Sequence, residues 1–199
     1  MKKELTKKIT VSGVLGAMGF VLMLLEFPLP FIIPSFIKLD FSEIPALIGS
    51  FAYGPLYGIL VCLIKNLLHL FVTTSNGVGE ISNFILGAVF VGVAGVFYRK
   101  MRSRKGALLG SLSGAALMAA ISVATNYFIV YPAFVVIYGM PMEAIIGMYS
   151  ALLPAADNLI KALVIFNFPF NLVKGILETA VCFAIYKRIS PLLKTAKKG

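Results

Sequence analysis

Residues 42–73 read SEIPALIGSFAYGPLYGILVCLIKNLLHLFVT, an apolar stretch with two formal charges, Glu43 and Lys65, and a Gly54-Pro55 step inside it. As one helix it would be long for a single membrane crossing, and its ladder would be broken at Pro55, which has no N–H to donate. Split at that step, it becomes a short helix over residues 42–53 and a fuller one over 55–72. Asp40 or Ser42 can cap the start, and Pro45 suits a first turn. The short helix covers only roughly 18 Å at 1.5 Å per residue. Membrane helices shortened or interrupted by Gly and Pro point to a binding site.

The split also decides the topology. The chain has 199 residues, 59% hydrophobic and 13% charged, and a mean hydropathy of +0.95, which places it in a bilayer. Its net charge of +10 is unevenly placed: 14 of 18 cations lie in three clusters, Lys2, Lys3, Lys7, Lys8, then Arg99, Lys100, Arg102, Arg104, Lys105, then Lys187, Arg188, Lys194, Lys197, Lys198. Further apolar runs cover residues 9–25, 83–98, 106–130 and 169–186. With the break at Gly54-Pro55 there are six membrane helices, and all three clusters fall on one face, the cytoplasmic one by the positive-inside rule. The expected architecture is therefore an all-α membrane protein with cytoplasmic N and C termini, a single domain over residues 1–199. The outer connections are residues 26–41, 73–78 and 131–168. The first is stiffened by Pro28, Pro30 and Pro34 and reads as a structured loop. The third is too apolar for a plain loop and suggests short helices over 141–151 and 155–165, between helices five and six. The start resembles a signal peptide but lacks a small-x-small cleavage site, so it reads as a retained first span.

Several function classes drop out. The cationic clusters lack interleaved aromatics and flank membrane spans, so nucleic acid is not expected as a partner. Cys62 and Cys182 sit in apolar segments, with no CxxC metal site or disulfide framework. There is no GxxxxGK[ST] phosphate loop, no HExxH and no GxSxG elbow, so no catalytic residue and no metal site is expected.

What remains is a small set of polar groups in the spans, where ionisable side chains are costly and face a cavity or a partner. Asn171, Lys174 and Glu178 share one face of the last helix at i, i+3 and i+7. They can be ligand donors, or Lys174 and Glu178 can form an i, i+4 ion pair bracing the bundle. Asn126 can bind ligand or bond to a neighbouring helix. Glu80 and Asn83 share a face at the start of the fourth helix, where Glu80 also suits the helix dipole. Lys65, Asn66 and His69 read more naturally as packing or snorkelling groups. In helix one, Gly13-x-x-x-Ala17 and Ser12-x-x-x-Gly16 each permit close helix approach, to a partner or within the bundle.

The chain resembles the substrate-binding S components of energy-coupling factor (ECF) vitamin transporters, and among them the riboflavin-specific ones. The resemblance is carried by Lys38-Leu39-Asp40-Phe41-Ser42-Glu43-Ile44-Pro45, Gly54-Pro55, Lys65-Asn66, Gly79-Glu80-Ile81-Ser82-Asn83 and Phe168-Pro169-Phe170-Asn171-Leu172-Val173-Lys174-Gly175, with Tyr186-Lys187-Arg188 after them. It departs from the pattern at Gly13, where the family has Ala, and at Glu178, where an uncharged residue is expected. The resemblance implies that riboflavin is the transported ligand, with no cofactor. It implies contacts from Leu39, Asp40, Phe41, Glu80, Asn83, Asn126, Asn171 and Lys174. It also implies docking through Gly13 and Ala17 onto a membrane coupling subunit with two ABC-type ATPase subunits, in the cell membrane. Other readings are an S component for another vitamin, a stand-alone carrier of a small neutral solute coupled through Glu178 or the Lys65/His69 pair, or a non-transporting scaffold. Few cations reach the outer half, which argues against a phosphorylated ligand such as flavin mononucleotide.

Overall fold

The computed structural model describes residues 2–195, with side chains over 2–185, so Lys197 and Lys198 of the third basic cluster lie outside the described residues. The chain is built on α1 (Lys2–Leu24), α2 (Glu43–Tyr53), α3 (Pro55–His69), α4 (Val78–Met101), α5 (Arg104–Thr125), α6 (Tyr131–Tyr138), α7 (Met142–Leu152), α8 (Leu159–Ala162) and α9 (Phe168–Thr195). Five helical runs are long and apolar enough to cross a membrane: Lys2–Leu24, Pro55–Val72, Val78–Met101, Arg104–Tyr138 and Leu159–Ile185. Large apolar side chains such as Val14, Val21, Leu109 and Val173 are exposed along them, as lipid-facing groups are. This is a multi-pass, all-α integral membrane protein.

The break in residues 42–73 falls at Gly54, whose φ of 106° is a conformation that suits glycine, and Pro55 opens α3 at its first turn. A single turn of 3-10 helix, Leu70–Val72, extends α3 to the expected boundary. Helix α2 is too short to span, and every residue from Glu43 to Phe51 is buried. A helix apolar on all sides belongs in a core. Here α1, α3, α4 and α9 surround it.

Two boundaries differ from the sequence expectation. The fifth helix does not stop near Val130 but continues through α6 to Tyr138, and residues 155–165 do not form a separate helix. Instead, the last helix starts at Leu159 and runs on through Pro169. In both places a π-turn precedes the proline: Asn126–Val130 before Pro132, with the Tyr131 N–H bonded to the Asn126 carbonyl, and Leu163–Asn167 before Pro169, with the Phe168 N–H bonded to the Leu163 carbonyl. A proline inside an α-helix collides with the carbonyl four residues back. The wider turn makes room for the ring, so the helix bends its hydrogen-bonding pattern without ending.

The loop between α1 and α2 is ordered by a two-residue antiparallel pairing of β1 (Phe27–Pro28) with β2 (Lys38–Leu39) and by the Lys38–Glu26 ion pair. Its Ile33 is fully buried, and the Phe36 ring packs edge-on against Tyr131, Phe134 and Tyr149. The loop is thereby pinned to α6 and α7 at one end of the bundle. At the other end α4 turns into α5 through Arg102, with Ser103 Oγ accepting from the Gly106 N–H at 3.0 Å.

Helices α4 and α5 cross closely at glycines. A Cβ on Gly114 would sit 2.5 Å from the Phe90 carbonyl oxygen and 3.2 Å from its ring, and one on Gly110 would sit 2.8 Å from the Ala94 carbonyl oxygen. Gly114→Ala therefore forces the helices apart and is expected to cost about 1–3 kcal/mol, the range for overpacking. Thermal unfolding of the detergent-solubilised protein measures it, and an unchanged midpoint would show that the crossing can yield.

Candidate ligand-binding site

At the end of the bundle covered by the first loop lies a cavity of about 170 Å³. Its wall draws on the loop (Phe36, Ile37, Lys38 and Asp40), the start of α2 (Glu43), the end of α3 (His69), the first turns of α4, the π-turn between α5 and α6, and the first half of the last helix. The aromatic lining is Phe36, Tyr131, Phe134 and Phe170, and the polar lining includes Asn126, Asn167, Asn171 and Lys174. Such a mixture of apolar faces and a few fixed donors and acceptors suits a flat, largely uncharged ligand with a polar edge.

The polar groups are tightly organised. Lys174 Nζ donates to Asp40 Oδ2 at 2.6 Å, and Asp40 Oδ1 accepts from the Ser42 N–H at 2.8 Å and from the Ser42 hydroxyl. Behind this wall, fully buried Lys65 donates to Glu43 Oε1 at 2.6 Å, to Asn83 Oδ1 at 2.8 Å and to Ser42 Oγ. Glu80 is held by His69, whose Nδ1 is 2.7 Å from its Oε1, and by the Ser75 hydroxyl, which donates to Oε2 at 2.7 Å. Burial opposes ionisation of Asp40, but the Lys174 and Lys65 ammoniums and the hydrogen bonds from Lys174 and Ser42 outweigh it, holding the carboxyl well below the usual carboxylate range. Because that value is lowered by folding, the stability Asp40 contributes is complete at neutral pH and is lost only as pH falls through the lowered value.

Six of the eight residues proposed from sequence line the cavity: Asp40, Glu80, Asn83, Asn126, Asn171 and Lys174. Leu39 and Phe41 do not. Leu39 is buried in the strand pairing opposite Phe27, and Phe41 packs against the apolar core around α2. Asn126 sits in the π-turn, buried, and its carboxamide makes no hydrogen bond among the described residues. Asn171 Nδ2 donates to the Asn167 carbonyl at 2.9 Å. The i, i+4 ion pair between Lys174 and Glu178 does not form. Lys174 is instead taken by Asp40 of the loop, while Glu178, a turn deeper, faces the start of α2. Glu178 is fully buried, with Oε1 3.4 Å from the Glu43 N–H and Oε2 without a partner.

The two small-residue patterns of α1 separate. Ser12 and Gly16 are buried, Gly16 against Ile64, whereas Gly13 is half-buried with open space where a Cβ would stand, and Ala17 is exposed.

A family model described as the ECF transporter, substrate-specific component, matches residues 7–186. The chain belongs to that family. Among the relatives of this S component, the riboflavin transporter RibU of Staphylococcus aureus is 33% identical over 194 residues, covering 98% of this chain and 96% of the relative. The riboflavin transporter FmnP of Bacillus subtilis is 34% identical over 197 residues, 97% of each chain. A solved structure described as the S component of a bacterial ECF transporter superposes with a TM-score of 0.75 at 32% identity, over 96% of this chain and 99% of that one.

The cavity of the S component is also lined by a polar residue that the sequence reading passed over. Asn167 lies in the second π-turn, where its Oδ1 accepts from Tyr149 at 2.6 Å and its Nδ2 donates to the Tyr131 hydroxyl at 3.2 Å. The signal was present: Asn167, Asn171, Lys174 and Glu178 fall at i, i+4, i+7 and i+11, one stripe of a continuous helix. Starting the helix at Pro169 concealed it.

Proposed function

We propose that this S component binds riboflavin from the outer side and delivers it inward with an ATP-driven ECF module. The observation that carries the proposal is the near full-length similarity to two riboflavin transporters, together with a cavity whose aromatic and carboxamide lining suits a neutral, planar heterocycle with a polyol tail. Asn126, Asn171 and Lys174 are the principal recognition groups. Asn126 and Asn171 can each donate and accept, and Lys174 donates to a carbonyl or ring nitrogen. Asp40, Glu80 and Asn83 shape the same wall, and Leu39 and Phe41 support it from behind.

In this reading residues 1–199 are one domain in the cell membrane, with α2 completing six membrane helices and both termini cytoplasmic. Arg99, Lys100, Arg102, Arg104 and Lys105 are exposed at the end of α4 opposite the cavity, which supports that orientation. The protein does no chemistry and carries no cofactor. Its partners are a coupling subunit and two ABC-type ATPases, met through the outward Gly13/Ala17 face of α1.

Protein purified in detergent is expected to carry flavin absorbance, weakened by Asn171→Ala and Asn126→Ala. A colourless protein without flavin affinity would sink the assignment. Gly13→Leu, placed in open space on the docking face, is expected to leave riboflavin binding intact and cut uptake in cells at least about tenfold by blocking close helix approach. Unchanged uptake would move the docking surface elsewhere.

A further inference from the structure

Despite the protein's net charge of +10, among the described residues each lysine at the cavity is cancelled locally. Lys174 is paired with Asp40, Lys38 with Glu26, and Lys65, just behind the wall, with Glu43. Glu80 adds a further carboxylate, shared with His69. The cavity is therefore balanced to slightly acidic. Asp40 stands out within this set, because it accepts from three protein donors, two from Ser42 and one from Lys174. It thereby ties the first loop to the last helix. One ammonium donor of Lys174 is committed to Asp40, and the others remain for a ligand.

We propose that Asp40 is a positioning and selectivity residue, which aims the Lys174 ammonium as a hydrogen-bond donor and cancels its charge, so that the site accepts a neutral flavin and disfavours a phosphorylated one. The proposal rests on the riboflavin reading above. A phosphate monoester brings roughly −1.5 to −2 charges near neutral pH. In a confined site of reduced dielectric those charges interact with the fixed charges of the wall, more strongly the nearer the phosphate lies to them. With Asp40 ionised, the Lys174 cation offers no net attraction. Without it, the same cation attracts an anion.

The test is titration of riboflavin and flavin mononucleotide, followed by flavin fluorescence, on the wild type, Asp40→Asn, Asp40→Glu, Lys174→Gln and the double variant Asp40→Asn/Lys174→Gln. Asp40→Asn keeps an acceptor for Ser42 and removes the charge. It is expected to weaken riboflavin binding by about tenfold and to shrink the preference for riboflavin over its phosphate by at least about tenfold. Asp40→Glu should keep the wild-type preference. Lys174→Gln, which leaves the wall more acidic, should reject the phosphate more strongly than the charge-balanced double variant does, and this comparison decides the matter even if Asp40→Asn alone does not fold. A wild type that does not bind riboflavin overturns the functional reading. A wild type that binds, with the same riboflavin-to-phosphate ratio across the variants, overturns the role of Asp40 alone.

Discussion

Lys174→Ala is expected to weaken riboflavin binding at least about a hundredfold. The substitution removes a donor from the ligand wall and leaves Asp40, itself 3% exposed, as a buried carboxylate without its ion-pair partner. Breaking a buried pair from one side costs about 3–5 kcal/mol, and tenfold in affinity corresponds to about 1.4 kcal/mol, so the lower end of that range, lost from the bound state, gives the stated loss. Fluorescence titration measures the affinity, and thermal unfolding of the empty protein separates how much of the cost falls on the fold. Lys174→Arg is not expected to restore binding, because a planar guanidinium cannot occupy the position of a compact ammonium between Asp40 and the ligand. An alanine variant that binds riboflavin as tightly as the wild type would remove Lys174 from the site.

The second large effect concerns stability. Lys65→Met is expected to destabilise the protein by about 3–5 kcal/mol, since Lys65 is wholly buried and its ammonium satisfies Glu43, Ser42 and Asn83 together. Methionine fills much of the volume, so the loss reports the stranded carboxylate of Glu43 rather than a cavity. Adding Glu43→Gln should recover a large part, because the amide carries no charge to strand. Denaturant unfolding of the single and double variants measures the coupling. Additive effects would mean that the two groups do not depend on one another. Asn83 would also lose its donor, so ligand affinity should fall in Lys65→Met even under conditions where the protein remains folded.

Much of the fold was readable from the chain because its causes are local. The Gly54-Pro55 break is a property of two adjacent residues, and α2 and α3 meet there. The expected boundaries beside Pro132 and at Pro169 did not hold. Proline's local preference is to end or kink a helix, yet packing of the flanking apolar turns keeps both helices continuous and the strain is absorbed in a π-turn. Those turns carry Asn126 and Asn167 into the cavity, so the local irregularity and the site coincide. The helix-one patterns show a different limit. Ser12-x-x-x-Gly16 and Gly13-x-x-x-Ala17 differ by one residue in register, and only the position of α3 decides which of them faces inward.

Composition, hydropathy and the placement of charge by themselves determined that this is a helical membrane protein, which segments hold its spans though not the ends of the last two, which end of the bundle is basic and which polar residues are too costly to be incidental. These follow from the transfer of each segment between water and lipid, which depends on the segment alone. Which charge meets which was decided by the tertiary structure. Lys174 lies four residues from Glu178 and 134 from Asp40, yet its partner is Asp40. The position of a loop packed on α6 and α7, which sets Asp40 against the last helix, settles that choice, and it is not written in the spacing of the residues.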